Sequence, residues 1–369
     1  FHYKLRLFYG HYLTIIIKNK MEEIKLVLTN QNFISAILLT ICLIFIGFIL
    51  TRTKIIPHEA EKVLTSIIKM LHPFMPYVTF PCLAFIGFLS DFDISQFGVL
   101  ILSFICFLIL FLIGKLIFIK VNKQSQNVYR VLFAMGQITL FGLPISQTIY
   151  GEKVLASLSM VVFSFRLFLY IYSFFLISKI EFNKDNIKPS LKKTFLNPVM
   201  IGMIIGLLFY LLQLIIPNNI EIDGNYYAFI RIDKTLPWLY KIISTIASLA
   251  SPLGMLLVGI TLGRLDIKSA FNNKLAYILS ILRSFIAPLI VLAICLIWQL
   301  IFKNSSFVLD SDIICSIIIC FASPASVVVN AYCVQYENEA ILSSDVILLS
   351  TIISIISVPL FVIFVNLIF

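Results

Sequence analysis

The chain has 369 residues, of which 60% are hydrophobic and 12% are charged, and its mean hydropathy is +1.03. Soluble domains carry about 25% charged residues, so this composition excludes an ordinary soluble protein. The net charge of +10 does not indicate a nucleic-acid partner, because the basic residues are scattered singly through short segments and do not line one polar face.

Residues 1–31 form a predicted N-terminal tail. They hold five basic residues, and the sequence opens on Phe1, whereas Met21 stands just before the first apolar stretch. We therefore predict that Met21 is the natural start and that residues 1–20 are upstream sequence or a tail. A signal peptide is the alternative, but no small-residue cleavage site follows the short apolar run at 12–17.

Ten apolar stretches follow, and each is about as long as the ~20 residues that a helix needs to cross a bilayer. Nothing in them alternates as transmembrane strands would. The sequence therefore predicts an all-α polytopic membrane protein with ten transmembrane helices. These predicted spans are residues 32–51, 70–90, 97–114, 131–151, 154–178, 194–220, 242–263, 284–302, 313–336 and 346–369.

The distribution of charge between loops predicts the orientation. Basic residues concentrate in the loops after spans 1, 3, 5 and 7, as at Lys120, Lys184 and Lys268, whereas Asp91 and Asp312 mark the other side. Loops rich in Lys and Arg stay in the cytoplasm. We therefore predict a multi-pass protein of the cell membrane with both termini extracytoplasmic.

Spans 4 and 9 each contain a proline at mid-span, Pro144 and Pro324. A proline inside a span frees backbone groups that lipid cannot satisfy, so these groups must face protein, water or substrate. The two spans lie five apart in the predicted order. Interrupted segments at corresponding positions of two halves are typical of a transporter's binding site.

A short motif repeats in register between the two halves. Asp93-Ile94 follows span 2, and Asp266-Ile267 follows span 7. The neighbouring charge changes sign, from Asp91 to Arg264, as an inverted second copy would require. We therefore predict two inverted five-helix repeats, residues 32–180 and 194–369, joined by a cytoplasmic linker at 181–193, with broken helices 4 and 9 crossing each other.

Two arginines lie within spans 5 and 8, Arg166 and Arg283. A charge at the bilayer centre costs about 2.5–3.5 kcal/mol or more, so it usually faces a cavity or a partner. A guanidinium would attract an anionic substrate, and Arg283 is favoured over Arg166 in this role. Snorkelling to the membrane surface is the alternative for both. The predicted substrate-binding residues are Gln137, Thr139, Gly142, Pro144, Ser146, Arg166, Arg283, Ser323, Pro324, Ser326 and Asn330.

Other chemistry-bearing residues give weaker signals. The seven cysteines all lie in spans without a CxxC motif, so neither a metal site nor a cofactor is predicted. His72 could carry a proton, although a locally bonded residue at a helix break is the favoured interpretation. No Asp or Glu lies deep in a span, so a coupling proton or sodium ion has no evident carboxylate ligand.

Several motifs together resemble the auxin efflux carrier family, including its bacterial malate-permease-like members. The resemblance covers roughly residues 32–368. It is carried by Gly-Phe-Ile-Leu in span 1, a proline-rich span 2, Phe141-Gly-Leu-Pro144, the run from Ser251-Pro-Leu-Gly to Gly263, and Ala322-Ser-Pro324 with Tyr336 twelve residues on. The resemblance implies ten helices in two inverted repeats, crossing broken helices 4 and 9, and the transport of organic anions.

One departure from the family pattern affects the pocket. The family often has Asn seven residues before the span 4 proline and Gly two residues later, where this chain has Gln137 and Thr139. A longer amide and an added side chain would reshape the pocket, so the family's substrates do not carry over.

The favoured function is secondary active transport of a small organic anion, a carboxylate such as malate or an auxin-like acid, by alternating access. The sequence predicts no enzyme, because no catalytic constellation lies in the spans. A channel, or a membrane sensor of the same fold, is the alternative. The expected partners are the organic anion, the lipid bilayer and a coupling proton or sodium ion. A homodimer is left open.

Overall fold

The structure, a computed structural model, describes residues 29–52, 74–180 and 184–369. The predicted start at Met21 and both interpretations of His72 lie outside these residues.

Helices make up nearly all of the described first half, because its sequence alternates long apolar stretches with short polar loops. Its helices are α1 (Gln31–Arg52), α2 (Phe80–Ile86) preceded by a π-helical turn (Met75–Thr79), α3 (Ser95–Ile117), α4 (Lys123–Ala134), α5 (Leu143–Tyr150) preceded by a π-helical turn (Ile138–Gly142), α6 (Leu155–Leu167) after a 3-10 turn (Gly151–Val154), and α7 (Phe174–Ser178) after a π-helical turn (Phe168–Ser173).

The second half is built in the same way apart from one hairpin. Its elements are α8 (Lys184–Phe195), α9 (Pro198–Leu212), β1 (Ile220–Ile222), β2 (Asn225–Tyr227), α10 (Ile232–Thr235), α11 (Pro237–Ser248), α12 (Ala250–Arg264), α13 (Ile267–Asn272), α14 (Lys274–Ile281) followed by a π-helical turn (Leu282–Ile286), α15 (Ala287–Ile301), α16 (Ser311–Ala322), α17 (Val327–Gln335) and α18 (Ala340–Ile368).

Six helical stretches in the described ranges are long and apolar enough to cross a membrane, in agreement with the predicted helical membrane protein. They are Gln31–Arg52, Ser95–Ile117, Ile138–Ser178, Pro237–Arg264, Lys274–Ile301 and Ala340–Ile368. Three shorter apolar helices accompany them, at Met75–Ile86, Pro198–Leu212 and Ser311–Ala322.

The prediction of an all-α chain is wrong at one place. Strands β1 and β2 form an antiparallel hairpin in which Ile220 pairs with Tyr227. Its turn holds Asp223 at φ 49° and Gly224 at φ 79°. Asp-Gly favours these left-handed angles, which suit the twist of a two-residue hairpin. The predicted span at 194–220 is accordingly shorter as a helix, since α9 ends at Leu212.

Glycines let α1 and α12 approach closely. A Cβ built on Gly259 would lie 2.0 Å from the Ile44 carbonyl oxygen, and one on Gly47 would lie 2.3 Å from the Leu256 carbonyl oxygen. Helices in lipid gain little from hydrophobic burial against each other, so close backbone packing through small residues stabilises their association. The α1–α12 pair therefore depends on these glycines.

Replacing Gly259 with Leu is expected to lower the melting temperature of the purified protein by about 1–4 °C. Overpacking costs about 1–3 kcal/mol, and here the obstructing atoms belong to a backbone that cannot rotate away. Thermal unfolding in detergent would measure the effect. Ala293→Leu, which adds bulk at an exposed position of α15, is the control. An equal melting temperature for Gly259→Leu and the wild type would contradict this account.

The helices form two groups. In the first, which we call the support bundle, α12 packs on α1, and α9 and α11 both pack on α2. In the second, the crossover bundle, α3 packs on α4 and α6, while α18 packs on α14, α16 and α17. The two bundles meet where α1 contacts α5 and where α12 contacts the π-helical turn before α5. The candidate site lies along this boundary.

Candidate functional site

The two interrupted helices pair with each other through their backbones. Gly136, between α4 and α5, and Ala325, between α16 and α17, form an isolated antiparallel bridge. The Gln137 N–H donates to the Pro324 carbonyl at 2.7 Å, and the Ser326 N–H donates to the Met135 carbonyl at 3.2 Å. Each break therefore satisfies backbone groups that the other leaves open, as lipid cannot do.

The first break does not lie at Pro144. It lies at Met135–Gln137, and Pro144 occupies the first turn of α5. The π-helical turn and α5 form one helical run from Ile138, so Pro144 lies inside a helix. The π-helical turn accommodates it by shifting the bonding so that the Leu143 N–H reaches the Ile138 carbonyl. Pro324, in contrast, lies within the second break and supplies a carbonyl to it.

Side chains bind the amino ends of the half-helices. The Gln137 side-chain oxygen accepts a hydrogen bond from the Val327 N–H at 2.9 Å, so a residue of the first break caps α17. The Ser350 hydroxyl accepts from the Ala325 N–H at 3.0 Å. The amino ends of α17 and of the turn before α5 are thus held side by side.

Arg283 binds the carboxyl ends of the other two half-helices. Its Nε donates to the Ser323 carbonyl at 3.1 Å, at the end of α16. Its Nη1 donates to the Phe133 carbonyl at 3.1 Å and to the Ala134 carbonyl at 3.3 Å, at the end of α4. The side chain is fully buried, so the snorkelling alternative is wrong for Arg283.

A cavity of about 310 Å³ lies beside the crossing, and we call it the crossover cavity. The two amino ends contribute to its wall through the stretch from Gln137 to Leu140 and through Ser326 to Val328. The first N–H groups of a helix lack intrahelical partners and carry a partial positive charge. The other lining residues are Met75, Pro76, Phe80, Phe165, Arg166, Leu169, Tyr170, Val199, Leu257 and Ala331.

Arg166 brings a full positive charge to this cavity. It is 5% exposed, and its Nη1 donates to the Tyr170 hydroxyl at 2.8 Å. Its Nε has no hydrogen-bond partner among the described residues. Together with the two helix amino ends, the guanidinium makes the polar part of the crossover cavity positive, a setting that favours a carboxylate.

Seven of the predicted site residues divide into two sets. Gln137, Thr139, Arg166 and Ser326 line the crossover cavity. Arg283, Ser323 and Pro324 instead hold the crossing itself through the hydrogen bonds described above. The sequence favoured Arg283 over Arg166 as the charge that faces the substrate, and the geometry favours the opposite order, because Arg283 is not among the residues that line this cavity.

Four other predicted site residues lie outside the crossover cavity. Gly142 packs closely on Cys320, and the Ser146 hydroxyl donates to the Ser316 carbonyl at 3.4 Å. The Asn330 side-chain oxygen accepts from the Ser343 hydroxyl at 2.6 Å. Pro144 lines a separate cavity of about 370 Å³, the Glu152 cavity, whose wall also includes Gln147, Thr148, Glu152, Tyr240, Lys241 and Ser251.

The sequence analysis did not identify two residues of the candidate site. Tyr170 lies four residues after Arg166, on the same helical face, and this spacing could have identified it. Gly136 precedes Gln137, and a Cβ there would lie 1.8 Å from Arg283 Nη2, so any other residue would have to displace the guanidinium. Tyr170 also lines a third cavity of about 250 Å³, together with Phe174, Thr194, Asn197, Tyr332, Gln335 and Tyr336.

Comparison with known protein families gives one match. A family model described as "Membrane transport protein" matches residues 32–362, which is most of the chain. No curated protein matches the chain.

Proposed function

We propose that this chain, which belongs to the auxin efflux carrier family of membrane transport proteins, is a secondary active transporter of a small organic anion. Family membership establishes the class of membrane transporter. The observation that carries the anion assignment is the convergence of Arg166 and two half-helix amino ends on the crossover cavity. A carboxylate there would be stabilised both by a full charge and by the partial positive charge of the two helix amino ends.

The mostly apolar remainder of the cavity supports an organic anion as the cargo. Phe80, Phe165 and Leu257 also line it. Ligand sites of this kind combine an apolar wall with a few polar groups that fix orientation. An inorganic anion would gain nothing from the apolar wall, so we infer a carboxylate with a hydrocarbon portion.

Alternating access is supported by an apolar barrier between two cavities. The Glu152 cavity is lined by Pro144 of α5 and Ser251 of α12, whereas the crossover cavity is lined by Leu140, in the π-helical turn before α5, and by Leu257 of α12. Leu140 packs on Gly254 of α12, where a Cβ would lie 2.7 Å from the Leu140 Cδ2 atom. A conducting channel would need a continuous open path through this contact.

Ten transmembrane segments in two inverted repeats remain our proposal for the architecture. The stretch Ile138–Ser178 has 41 residues, about twice the ~20 that one crossing needs, and Gly151 at φ 73° lies inside it. Two broken helices, α4–α5 and α16–α17, occupy equivalent places in residues 32–180 and 194–369. In this arrangement the linker, which contains part of α8, is cytoplasmic and both termini are extracytoplasmic.

Uptake into proteoliposomes tests the proposed function. We expect saturable uptake of one or more members of a panel of mono- and dicarboxylates, including an aromatic carboxylate, because the cavity pairs positive groups with an apolar wall. Imposed gradients of pH, sodium and voltage would identify the coupling ion. Protein-free liposomes are the control. Uptake of a neutral or cationic solute instead would contradict the anion assignment, and a non-saturating conductance would favour the channel.

A further inference from the structure

The geometry points to Arg283 as a positioning residue that never touches the cargo. It joins the carboxyl ends of α4 and α16, and by doing so it fixes the opposite, amino ends of the crossing at the wall of the crossover cavity. The importance of this contact for transport rests on the proposed function, whereas its effect on the structure of the crossing can be tested without transport.

The hydrogen bonds of Arg283 reach both halves of the crossing at once. Nε donates to the carbonyl of Ser323, and Nη1 donates to the carbonyls of Phe133 and Ala134. The last carbonyls of a helix have no intrahelical partner. A planar guanidinium with five donors in a fixed fork can serve two such ends simultaneously, which a single ammonium group does less well.

The charges around Arg283 also support a positioning role. A helix carboxyl end carries about half a negative charge, so two such ends side by side repel each other, and the repulsion is strong where water is absent. The ion pairs found in the described residues do not include Arg283. Asp345, which is also buried, is bound by Ser269 and Asn273 instead. The helix ends are therefore the negative partners of the Arg283 charge.

The guanidinium of Arg283 is enclosed by protein. Its Nη2 has no hydrogen-bond partner among the described residues, but Arg283 lines none of the three cavities described above. The side chain is fully buried, and Gly136 lies so close that a Cβ would meet Nη2 at 1.8 Å and the Ser323 hydroxyl at 2.5 Å. Gly136 also forms the bridge to Ala325. Movement of the guanidinium would therefore be transmitted directly to both breaks, including the Gln137 side chain that caps α17.

Hydrogen exchange of the full-length protein in nanodiscs tests this role without depending on transport. In Arg283→Gln we expect backbone amides in segments 133–140 and 322–330 to exchange about tenfold faster than in the wild type. Arg283→Lys keeps the charge and should give an intermediate rate. Arg231→Gln is the matched control. Arg231 is also buried, but it binds Asp233 and Asp91, and these residues lie far along the chain from both breaks.

The control should speed exchange around residues 228–235 and leave both breaks unchanged. Unchanged exchange at the breaks in Arg283→Gln would overturn the proposal. If Arg283→Gln does not fold, the exchange rates of Arg283→Lys provide the test. Wild-type exchange rates at both breaks in Arg283→Lys would show that the forked guanidinium is not required and would also overturn the proposal.

Uptake separates positioning from binding of the cargo. With a positioning role, Arg283→Gln lowers the maximal rate about tenfold for every transported anion and leaves the ratio of mono- to dicarboxylate rates unchanged. A shift in that ratio would mean that Arg283 contacts the cargo and would overturn the proposal. If the wild type transports no anion, the proposed function fails, while faster exchange at both breaks would still support the positioning role.

Discussion

Replacing Arg166 with Gln is expected to raise the KM for the transported anion by about tenfold or more, with a smaller change in the maximal rate. Arg166 is the charged residue that lines the crossover cavity in the described part of the chain. A hydrogen bond to a charged group contributes about 1.5–3 kcal/mol, and each 1.4 kcal/mol is a factor of ten in affinity. Initial uptake rates over a range of anion concentrations would measure the change.

Two further variants make this result interpretable. Arg166→Lys keeps the charge and should recover part of the affinity. Arg130→Gln removes another buried arginine, one that donates to the Tyr172 hydroxyl and does not line the crossover cavity, and its KM should equal that of the wild type. A wild-type KM in a folded Arg166→Gln variant would remove Arg166 from the binding site.

Replacing Gly136 with Val is expected to reduce uptake to less than about a tenth of the wild-type rate. Three atoms lie within 3.0 Å of the position that a Cβ would occupy, namely Nη2 and Cζ of Arg283 and the hydroxyl oxygen of Ser323. In a closely packed protein interior, such a clash forces backbone shifts that lower stability by about 1–3 kcal/mol. Here the shift would open the pairing between the two breaks, so transport should suffer more than stability.

The measurement is uptake normalised to the amount of folded protein, judged by size-exclusion chromatography and thermal unfolding. Gly98→Ala serves as the control, since a Cβ there would lie 3.0 Å from its nearest neighbour, the Phe307 Cδ1 atom, and its nearest neighbours do not belong to the crossing. Near-normal uptake by a folded Gly136→Val variant would show that transport does not require the backbone pairing of the two breaks. The crossing would then have no role in the mechanism.

The sequence was sufficient to predict which spans are broken, but not where the first break lies. A proline in the middle of an apolar stretch has two explanations, since it can lie in a helix break or within a helix that a π-helical turn adjusts around it. Pro324 is the first case and Pro144 the second, and both give the same local pattern. Gly136 next to Gln137 was the better marker, yet its requirement comes from Arg283, far away in the sequence.

Long-range contacts explain the remaining errors at the site. The role of Arg283 depends on carbonyls of α4 about 150 residues earlier, and backbone carbonyls leave no trace in residue types. The charge of Arg166 was visible, but whether it faces a cavity depends on helices from both halves. The Asp223-Gly224 hairpin, in contrast, was readable locally, but its first strand begins at Ile220, the last residue of the predicted span at 194–220.

The pairing of the two breaks also constrains how the protein can be made. The Gln137 side chain and the Val327 N–H that it caps are 190 residues apart, a stretch that takes roughly 10–40 s to synthesise at ~5–20 residues per second. During that time the carboxyl end of α4 lacks Arg283 and the first break lacks its bridge. Lipid cannot bind these groups. They must therefore stay hydrated or be sheltered by the insertion machinery, and the cavity forms only near the end of biogenesis.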